Sequence, residues 1–335
     1  MKAGIGALAV VLATVVGGHP LASGHRSHAV RYLMGTWCDL VLLDPQPDEE
    51  AAEAAFQEIA RLERVLSNWD AASEVSDLNA KAGRGQQAVS LDLATVVHEA
   101  EELCASSGGA FDPSVGPLLR AWGFDTESPS KPSPERAREA ASHVGCDRVN
   151  VRRDPPSIAL ADGTRLDLGG IGKGYAVDRA LAVLRAHGIT RAKLDFGSSS
   201  LGLLGSVKGG WPIVVADPRD RDKPLLSFRV EQGAVSSSGQ RERSFLRDGH
   251  RYGHIFDPRT GAPVESRLLV VTVIAPQAST ADGLSTALFV MGAEQGARLV
   301  SRMPGVSAVF VDERPGGGLA ITKAGRIDRW TLLSH

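Results

Sequence analysis

Three stretches of the sequence gather residues able to move a proton, hold a hard cation and cradle a phosphate. In His254-Ile-Phe-Asp-Pro-Arg-Thr-Gly261, a histidine, a carboxylate, a guanidinium and a hydroxyl share one loop between apolar segments. Of the nine histidines only His254 lies in such a cluster, and histidine is the usual proton-transfer group near neutral pH. In Ser279-Thr-Ala-Asp-Gly-Leu-Ser-Thr-Ala-Leu288, Asp282 and Thr286 are four residues apart, so both face one side of a helix start. A carboxylate and a hydroxyl so placed can hold a divalent cation such as Mg²⁺, with waters and phosphate oxygens completing the shell. Simple helix capping, with Thr280 as N-cap, accounts for the same residues. The third stretch, Asp167-Leu-Gly-Gly-Ile-Gly-Lys-Gly-Tyr-Ala-Val-Asp178, reads as a strand end, a glycine-rich turn and a helix start. Its glycines permit φ > 0 or close approach of a ligand. Free N–H groups at the helix start suit a phosphate or diphosphate, and Lys173 adds a mobile cation.

The familiar phosphate loops do not fit this turn. A P-loop needs Ser or Thr directly after Gly-Lys, and Gly174 follows Lys173. Gly170, Gly172 and Gly174 are spaced G-x-G-x-G, not G-x-G-x-x-G. A tight turn with no ligand remains open on local grounds. A fourth stretch, Gly109-Ala-Phe-Asp-Pro-Ser-Val-Gly-Pro117, presents a carboxylate on a backbone stiffened by two prolines.

The elements that must position these groups follow from hydrophobic periodicity. Arg31–Leu43 reads as one strand after a flexible lead-in over 25–30. Pro47-Asp48 caps a helix with Ala52, Phe56, Ile59, Leu62, Val65 and Leu66 on its apolar face. Ser73–Asn79 reads as turn-rich. Leu91–Ser107 is a helix closed by Gly108-Gly109, and Pro134–His143 another. Strand character over Thr164–Leu168 leads into the glycine turn, whose helix runs to Gly188. Arg191–Phe196 is a strand, and Ile213–Ala216, Leu225–Val230 and Ala234–Ser236 suggest a meander. Leu268–Ile274, Val306–Val311 and Leu319–Thr322 are strands around helices over Thr280–Met291 and Ala293–Arg302. Runs of strands separated by helices, without strict alternation, predict an α+β fold with largely antiparallel sheets, as one two-lobed domain over 25–335.

Composition narrows the function. The chain has 335 residues and a net charge of −2, which gives no electrostatic case for nucleic acid or an anionic membrane. Aromatic residues make up 5%, too few for a base-stacking platform. Lys2, the apolar run Ile5–Val16 and the small residues around Ala22–Gly24 predict a secretory signal over 1–24, hence an exported, periplasmic protein with no membrane span in its mature chain. Cys38, Cys104 and Cys146 fit neither a zinc site nor a disulfide framework and read as thiols, with one pair bridgeable in an oxidising compartment.

Taken in order along the chain, these stretches resemble the ApbE family of FAD:protein FMN transferases. The resemblance runs through Met34-Gly-Thr36, Ser67-Asn-Trp-Asp70, Ser73–Asn79, Gly109–Pro113 and Trp122-Gly-Phe124. It continues through Asp167–Asp178, Ser238-Gly239, His254–Gly261 and Ala281–Thr286. It implies an Mg²⁺-dependent enzyme that moves the FMN half of FAD onto a Thr or Ser hydroxyl of an acceptor redox protein and releases AMP. It places the metal on the Gly170 carbonyl, Asp282 and Thr286. Flavin contacts map to Met34, Trp69, Ala110, Phe111, Asp112, Asp167, Lys173 and the loop around Ile255. His254 takes the role of base, and Lys173 that of a catalytic cation. Trp69 stands where members often have Tyr, and either ring can stack on a flavin or adenine. Many members carry an acidic or amide residue after Gly-Gly where this chain has Gly197-Ser-Ser-Ser200, so those contacts are uncharged here. Asp282-Gly-Leu-Ser-Thr-Ala287 looks superficially like a flavinylation acceptor, but Thr286 is better used as a ligand at a helix start. A flavin-delivery protein without transferase activity, and an FAD hydrolase giving FMN and AMP, are the competing readings.

Overall fold

A computed structural model gives the protein's structure over residues 27–44, 49–240, 243–327 and 329–333. The expected signal segment and the Pro47-Asp48 cap lie outside the described residues.

The chain opens with the hairpin β1 (Ser27–Leu33) and β2 (Thr36–Leu42), followed by α1 (Glu49–Leu66) and α2 (Glu74–Ala80). The short β3 (Gln87–Ala88), α3 (Leu91–Ser107), α4 (Gly116–Ala121) and α5 (Pro134–Ser142) lead to β4 (Val149–Arg153) and β5 (Pro156–Leu160). After α6 (Gly172–Ala186) come β6 (Ala192–Phe196), β7 (Ser200–Leu204), β8 (Trp211–Asp217), β9 (Asp220–Val230) and β10 (Gly233–Gly239). Two small hairpins follow, β11 (Ser244–Arg247) with β12 (His250–Gly253) and β13 (Phe256–Asp257) with β14 (Ala262–Pro263). Then come β15 (Leu268–Ala275), α7 (Ala278–Val300), β16 (Ser307–Glu313), β17 (Leu319–Ala324) and β18 (Thr331–Leu332).

Eight strands form one sheet in the order β1-β2-β6-β7-β10-β15-β16-β17, each neighbour antiparallel to the next. Side chains alternate between its faces. Leu40, Leu194, Phe196, Val271 and Val273 pack against the helices, with Phe56, Ile59 and Leu62 from α1, Leu93 and Val97 from α3, Val177 and Leu184 from α6, and Leu284 and Leu288 from α7. Leu201, Leu203, Val235, Val270, Val309 and Val311 face the other way, onto the three-stranded sheet β18-β9-β8. The fold is α+β, as the strand runs predict. A third cluster of Leu118, Trp122, Phe124, Tyr252 and Phe256 joins α4 to the β11–β12 hairpin.

Several local expectations give way. Arg31–Leu43 is not one strand but the end of β1, a turn at Met34 (φ 47°) and Gly35 (φ 76°), and β2; the pairing of β1 with β2 also orders 27–30. Ser73–Asn79 is helical, because the Ser73 hydroxyl caps the Ser76 amide. Thr164–Leu168 is extended with a single bridge, Arg165 to Val115, and so is not a strand. The expected meander is split: β8 and β9 pair with each other, while β10 lies between β7 and β15 in the large sheet. The last two helices run as one element broken at Gly292 (φ 77°, ψ 171°), and it starts at Ala278, with Gln277 instead of Thr280 in the cap position. Two of the cysteines expected as thiols are bridged, Cys104 to Cys146, while Cys38 is free and buried. A buried thiol loses hydration of its thiolate, and burial, then Asp195 and Asp39, pushes the Cys38 pKa up to about 12.

Two predictions concern stability. The disulfide spans 42 residues of sequence, so Cys146→Ser should lower the unfolding free energy by about 2–4 kcal/mol. A urea midpoint equal to that of the oxidised wild type would remove the bridge from the stability account. A Cβ on Gly174 would lie 2.2 Å from the Ala278 carbonyl oxygen. Gly174→Ala should therefore destabilise the chain by roughly 2–3 kcal/mol, the range of core overpacking, seen as a lower urea midpoint; an unchanged midpoint contradicts the close α6–α7 contact.

Candidate active site

The glycine turn works by close approach. Gly169, Gly170, Gly172 and Gly174 all have ordinary φ, so backbone torsion demands none of them, and space demands Gly170 and Gly174 most clearly. A Cβ on Gly170 would stand 3.1 Å from Phe111 Cε2 and 3.3 Å from Thr286 Oγ1. One on Gly174 would meet Asp282 Cβ at 2.8 Å. The start of α6 is thereby pressed onto the first turns of α7.

Two carboxylates lock that junction. Asp282 on α7 accepts the Gly174 amide of α6 at 2.9 Å. Asp178 on α6 accepts the Ala278 and Ser279 amides that open α7, each at 2.8 Å. Asp178 thus fills the capping role expected of Thr280. Burial raises the Asp178 pKa, although the two amides and the Ser279 hydroxyl pull it down.

The segment before the turn is held by a side chain. Asn79 on α2 is buried and mimics a strand partner: its amide nitrogen donates to the Leu166 carbonyl at 3.0 Å and its oxygen accepts the Leu166 amide at 2.7 Å. Asp167 donates its amide to the Pro113 carbonyl at 2.7 Å and accepts the Gly169 amide on its carboxylate at 2.9 Å. Lys173 Nζ reaches the Gly169 carbonyl at 3.4 Å.

Asp282 is buried and has two further donors. Ser200 Oγ and Ser236 Oγ bond its Oδ1 at 3.2 and 3.1 Å. Ser200 belongs to the Gly197-Ser-Ser-Ser200 departure, so the uncharged serine orients this carboxylate. One turn on, Thr286 Oγ1 lies 3.4 Å from Ser238 Oγ, which also bonds Ser285 Oγ at 2.8 Å.

The oxygens at this junction fit a hard divalent cation. Gly170 precedes the N-cap Ile171, so its carbonyl lies outside the α6 ladder, and the Gly174 amide is a first-turn donor with no intrahelical acceptor. It goes to Asp282 instead, and among the described residues no donor bonds the Gly170 carbonyl. A free carbonyl, a carboxylate and a hydroxyl converge there with no sulfur or imidazole, the donor chemistry that suits Mg²⁺.

The histidine loop adds the base. His254 donates both its amide and its ring Nδ1 to the Arg243 carbonyl, at 3.0 and 3.1 Å. A carbonyl only accepts, so Nδ1 carries the proton and Nε2 keeps its lone pair. Burial first, then the cations Arg243 and Lys173, lowers the His254 pKa to about 4. Its ring meets Phe124 edge-on at 6.4 Å. At neutral pH it is an unprotonated imidazole facing two cations.

The remaining candidate residues frame this centre. Trp69 is 64% exposed, with a ring free to stack, and the Arg243 guanidinium lies 4.8 Å from its centroid. Ala110, Phe111 and Ile255 are buried, and Phe111 and Ile255 share the main core. Met34 sits at the β1–β2 turn, partly buried against the main core, and the Gly197 amide donates to the Trp37 carbonyl of β2 at 2.8 Å. Asp112 is committed to its own loop: its Oδ1 accepts the Ser114 amide and hydroxyl at 2.7 and 2.6 Å, and burial raises its pKa. Sequence reasoning missed Asn79 as a backbone clamp, Asp178 as the α7 cap, the Ser200–Ser236 pair and Arg243. Asp178 and Asn79 lay within the quoted motifs, but nothing in their spacing revealed their partners.

Comparison with known proteins agrees with this arrangement. The ApbE family model matches residues 34–310. A FAD:protein FMN transferase of Treponema pallidum is 34% identical over 322 residues, covering 90% of this chain and 88% of that protein. One from Klebsiella pneumoniae is 33% identical over 79% of this chain and 83% of its own length. The crystal structure of the ApbE protein of Thermotoga maritima superposes with a TM-score of 0.81 at 33% identity, over 90% of this chain and 97% of that one. The flavin transferase ApbE from Vibrio cholerae gives 0.80 at 27% identity, over 90% and 97%. With its fold, its ordered motifs and most of its length shared with these proteins, the chain belongs to the ApbE family.

Proposed function

We propose that this chain, a flavin transferase by family, moves the FMN half of FAD onto a Thr or Ser hydroxyl of an acceptor redox protein, depends on Mg²⁺ and releases AMP. The observation that carries the reading is the α6–α7 junction, where a free Gly170 carbonyl, Asp282 and Thr286 meet beside Lys173 in a chain of this family.

In the reaction, the acceptor oxygen bonds to the FMN phosphorus and the bond from that phosphorus to the bridging oxygen breaks. AMP leaves with the bridging electron pair. His254 Nε2, unprotonated because Nδ1–H is fixed on the Arg243 carbonyl, takes the hydroxyl proton. Lys173 places a cation beside the phosphates. Gly170, Asp282 and Thr286 would hold Mg²⁺, which when bound neutralises diphosphate charge. Trp69 offers its ring for stacking, and Met34, Ala110, Phe111, Asp112, Asp167 and Ile255 bound the flavin cleft.

Export is part of the proposal. The 1–24 segment has the pattern of a secretory signal, and the Cys104–Cys146 bridge suits an oxidising, periplasmic compartment. Among the described residues no helix is long and apolar enough to cross a membrane.

Incubation with FAD, Mg²⁺ and a candidate acceptor domain, read by mass spectrometry, tests the reaction. Covalent FMN on the acceptor is expected. Free FMN and AMP alone would make the protein a hydrolase, and intact bound FAD a carrier. Asp282→Asn keeps size and one acceptor oxygen for the Gly174 amide but removes the charge. It should abolish Mg²⁺-dependent transfer with a near wild-type unfolding midpoint, and transfer at the wild-type rate would refute the ligand assignment. His254→Ala should leave FAD affinity intact and slow transfer about 10²-fold or more. In the wild type, kcat/KM should fall only as pH drops through about 4, where the imidazole protonates; an acid limb at the ordinary histidine value of about 6.5 would contradict the desolvated base.

A further inference from the structure

Arg243 joins residues that the sequence keeps far apart. Its carbonyl holds the His254 ring. Its guanidinium lies 4.8 Å from the Trp69 ring centroid and donates through Nη2 to the Phe124 carbonyl. Burial of that head lowers its pKa, while Asp167 and then Asp125 raise it. Part of the side chain stays open to solvent. Lys173 and Arg243 are the two charged groups that act on His254. Among the described residues neither forms an ion pair: Lys173 bonds the Gly169 carbonyl and Arg243 the Phe124 carbonyl. Two cations, one stacked on an exposed aromatic ring with Asp167 and Asp125 close enough to act on it but not ion-paired to it, face a neutral imidazole. Such a set repels protons and attracts a polyanion.

We propose that Arg243 is a substrate-binding residue of this site: its guanidinium, held over Trp69 beside the Asp167 turn, bonds a phosphate oxygen of the FAD diphosphate as a second cation alongside Lys173, while its carbonyl fixes the tautomer of His254. The proposal rests on the flavin-transferase reading. The guanidinium is suited to the task by its planar fork, which matches phosphate oxygens better than an ammonium does. The contact with Trp69 holds the long side chain in place before substrate arrives, which reduces the ordering entropy of binding. The two functions are separable, because the carbonyl survives any substitution of the side chain.

The test compares the full-length wild type with R243Q, R243K and H254A. FAD binding is titrated by flavin fluorescence with Mg²⁺ present, and FMN transfer is followed against pH. R243Q should weaken FAD binding about 10–100-fold, the loss of one charge-assisted hydrogen bond. It should also move the acid limb of kcat/KM to higher pH by about one unit, since a cation that disfavours the imidazolium has gone. R243K should restore the limb but only part of the affinity. A purely structural role would lower both readouts without moving the limb. Wild-type FAD affinity in R243Q, or an unmoved limb, overturns the proposal for Arg243 alone. A wild type that transfers no FMN, or an acid limb that persists in H254A, overturns the reading beneath it.

Discussion

The structure depends on a reciprocal exchange of carboxylates between two helices a hundred residues apart. Asp282 of α7 takes an amide of α6, and Asp178 of α6 takes two amides of α7. Each helix start is rich in unsatisfied N–H groups and carries the positive end of a dipole, so each gains from the other's carboxylate. Charge-assisted bonds of this kind contribute about 1.5–3 kcal/mol each, but the carboxylates are buried, and for Asp178 desolvation outweighs its three hydrogen bonds. The exchange therefore does more to fix the position of the helices than to raise stability. Gly174 is its steric condition, because a side chain there would occupy the space of the Ala278 carbonyl.

Once α6 and α7 are docked, the electrostatics of the site follow. The Gly170 carbonyl precedes the α6 ladder and takes no donor among the described residues, while Asp282 takes the Gly174 amide. The loop carrying His254 packs its ring against Phe124 and ties it to a carbonyl. Burial and two cations then hold the imidazole neutral far below physiological pH. A phosphoryl transfer to a hydroxyl asks for this combination: positive charge for the phosphates and an unprotonated base for the attacking oxygen.

Much of this was legible in the sequence, and the failures have physical causes. The helices α1, α3 and α6 follow from periodicity, because their apolar faces are buried against one core, while α5 packs Ala140 into the smaller cluster around Trp122. Asp282 and Thr286 share a helix face, as four-residue spacing requires. Of the two roles open to the turn glycines, positive φ and close approach, the structure uses close approach, a choice that composition cannot make. Thr164–Leu168 has strand composition, yet its hydrogen bonds go to the Asn79 side chain and the Pro113 carbonyl, partners that only the tertiary fold supplies. That one cysteine pair could be bridged was legible, but which pair was not, because 42 residues separate Cys104 from Cys146. Arg243 was invisible because it is one of several charged residues in a polar stretch with no spacing signal, and its partners Trp69, Phe124 and His254 come from three other segments.

The serine-rich turn after β6 shows how neutral donors present a buried carboxylate. A carboxylate has about four lone-pair positions. On Asp282, the Gly174 amide and the Ser200 hydroxyl occupy two of them, and the Ser236 hydroxyl, whose one proton is shared with the Ser199 carbonyl, covers part of a third. An acidic residue at position 200 would set a second negative charge against Asp282 in a buried space and raise the energy of both. A hydroxyl orients the carboxylate while leaving its charge intact and one lone pair free. The same logic extends outward: the Ser199 carbonyl accepts Ser236 Oγ at 2.8 Å and the Ser237 amide at 2.9 Å, so β10 is held against the turn by the residues that present Asp282. Neutral donors on β7 and β10 thus keep a single anionic oxygen pair at the junction of α6 and α7.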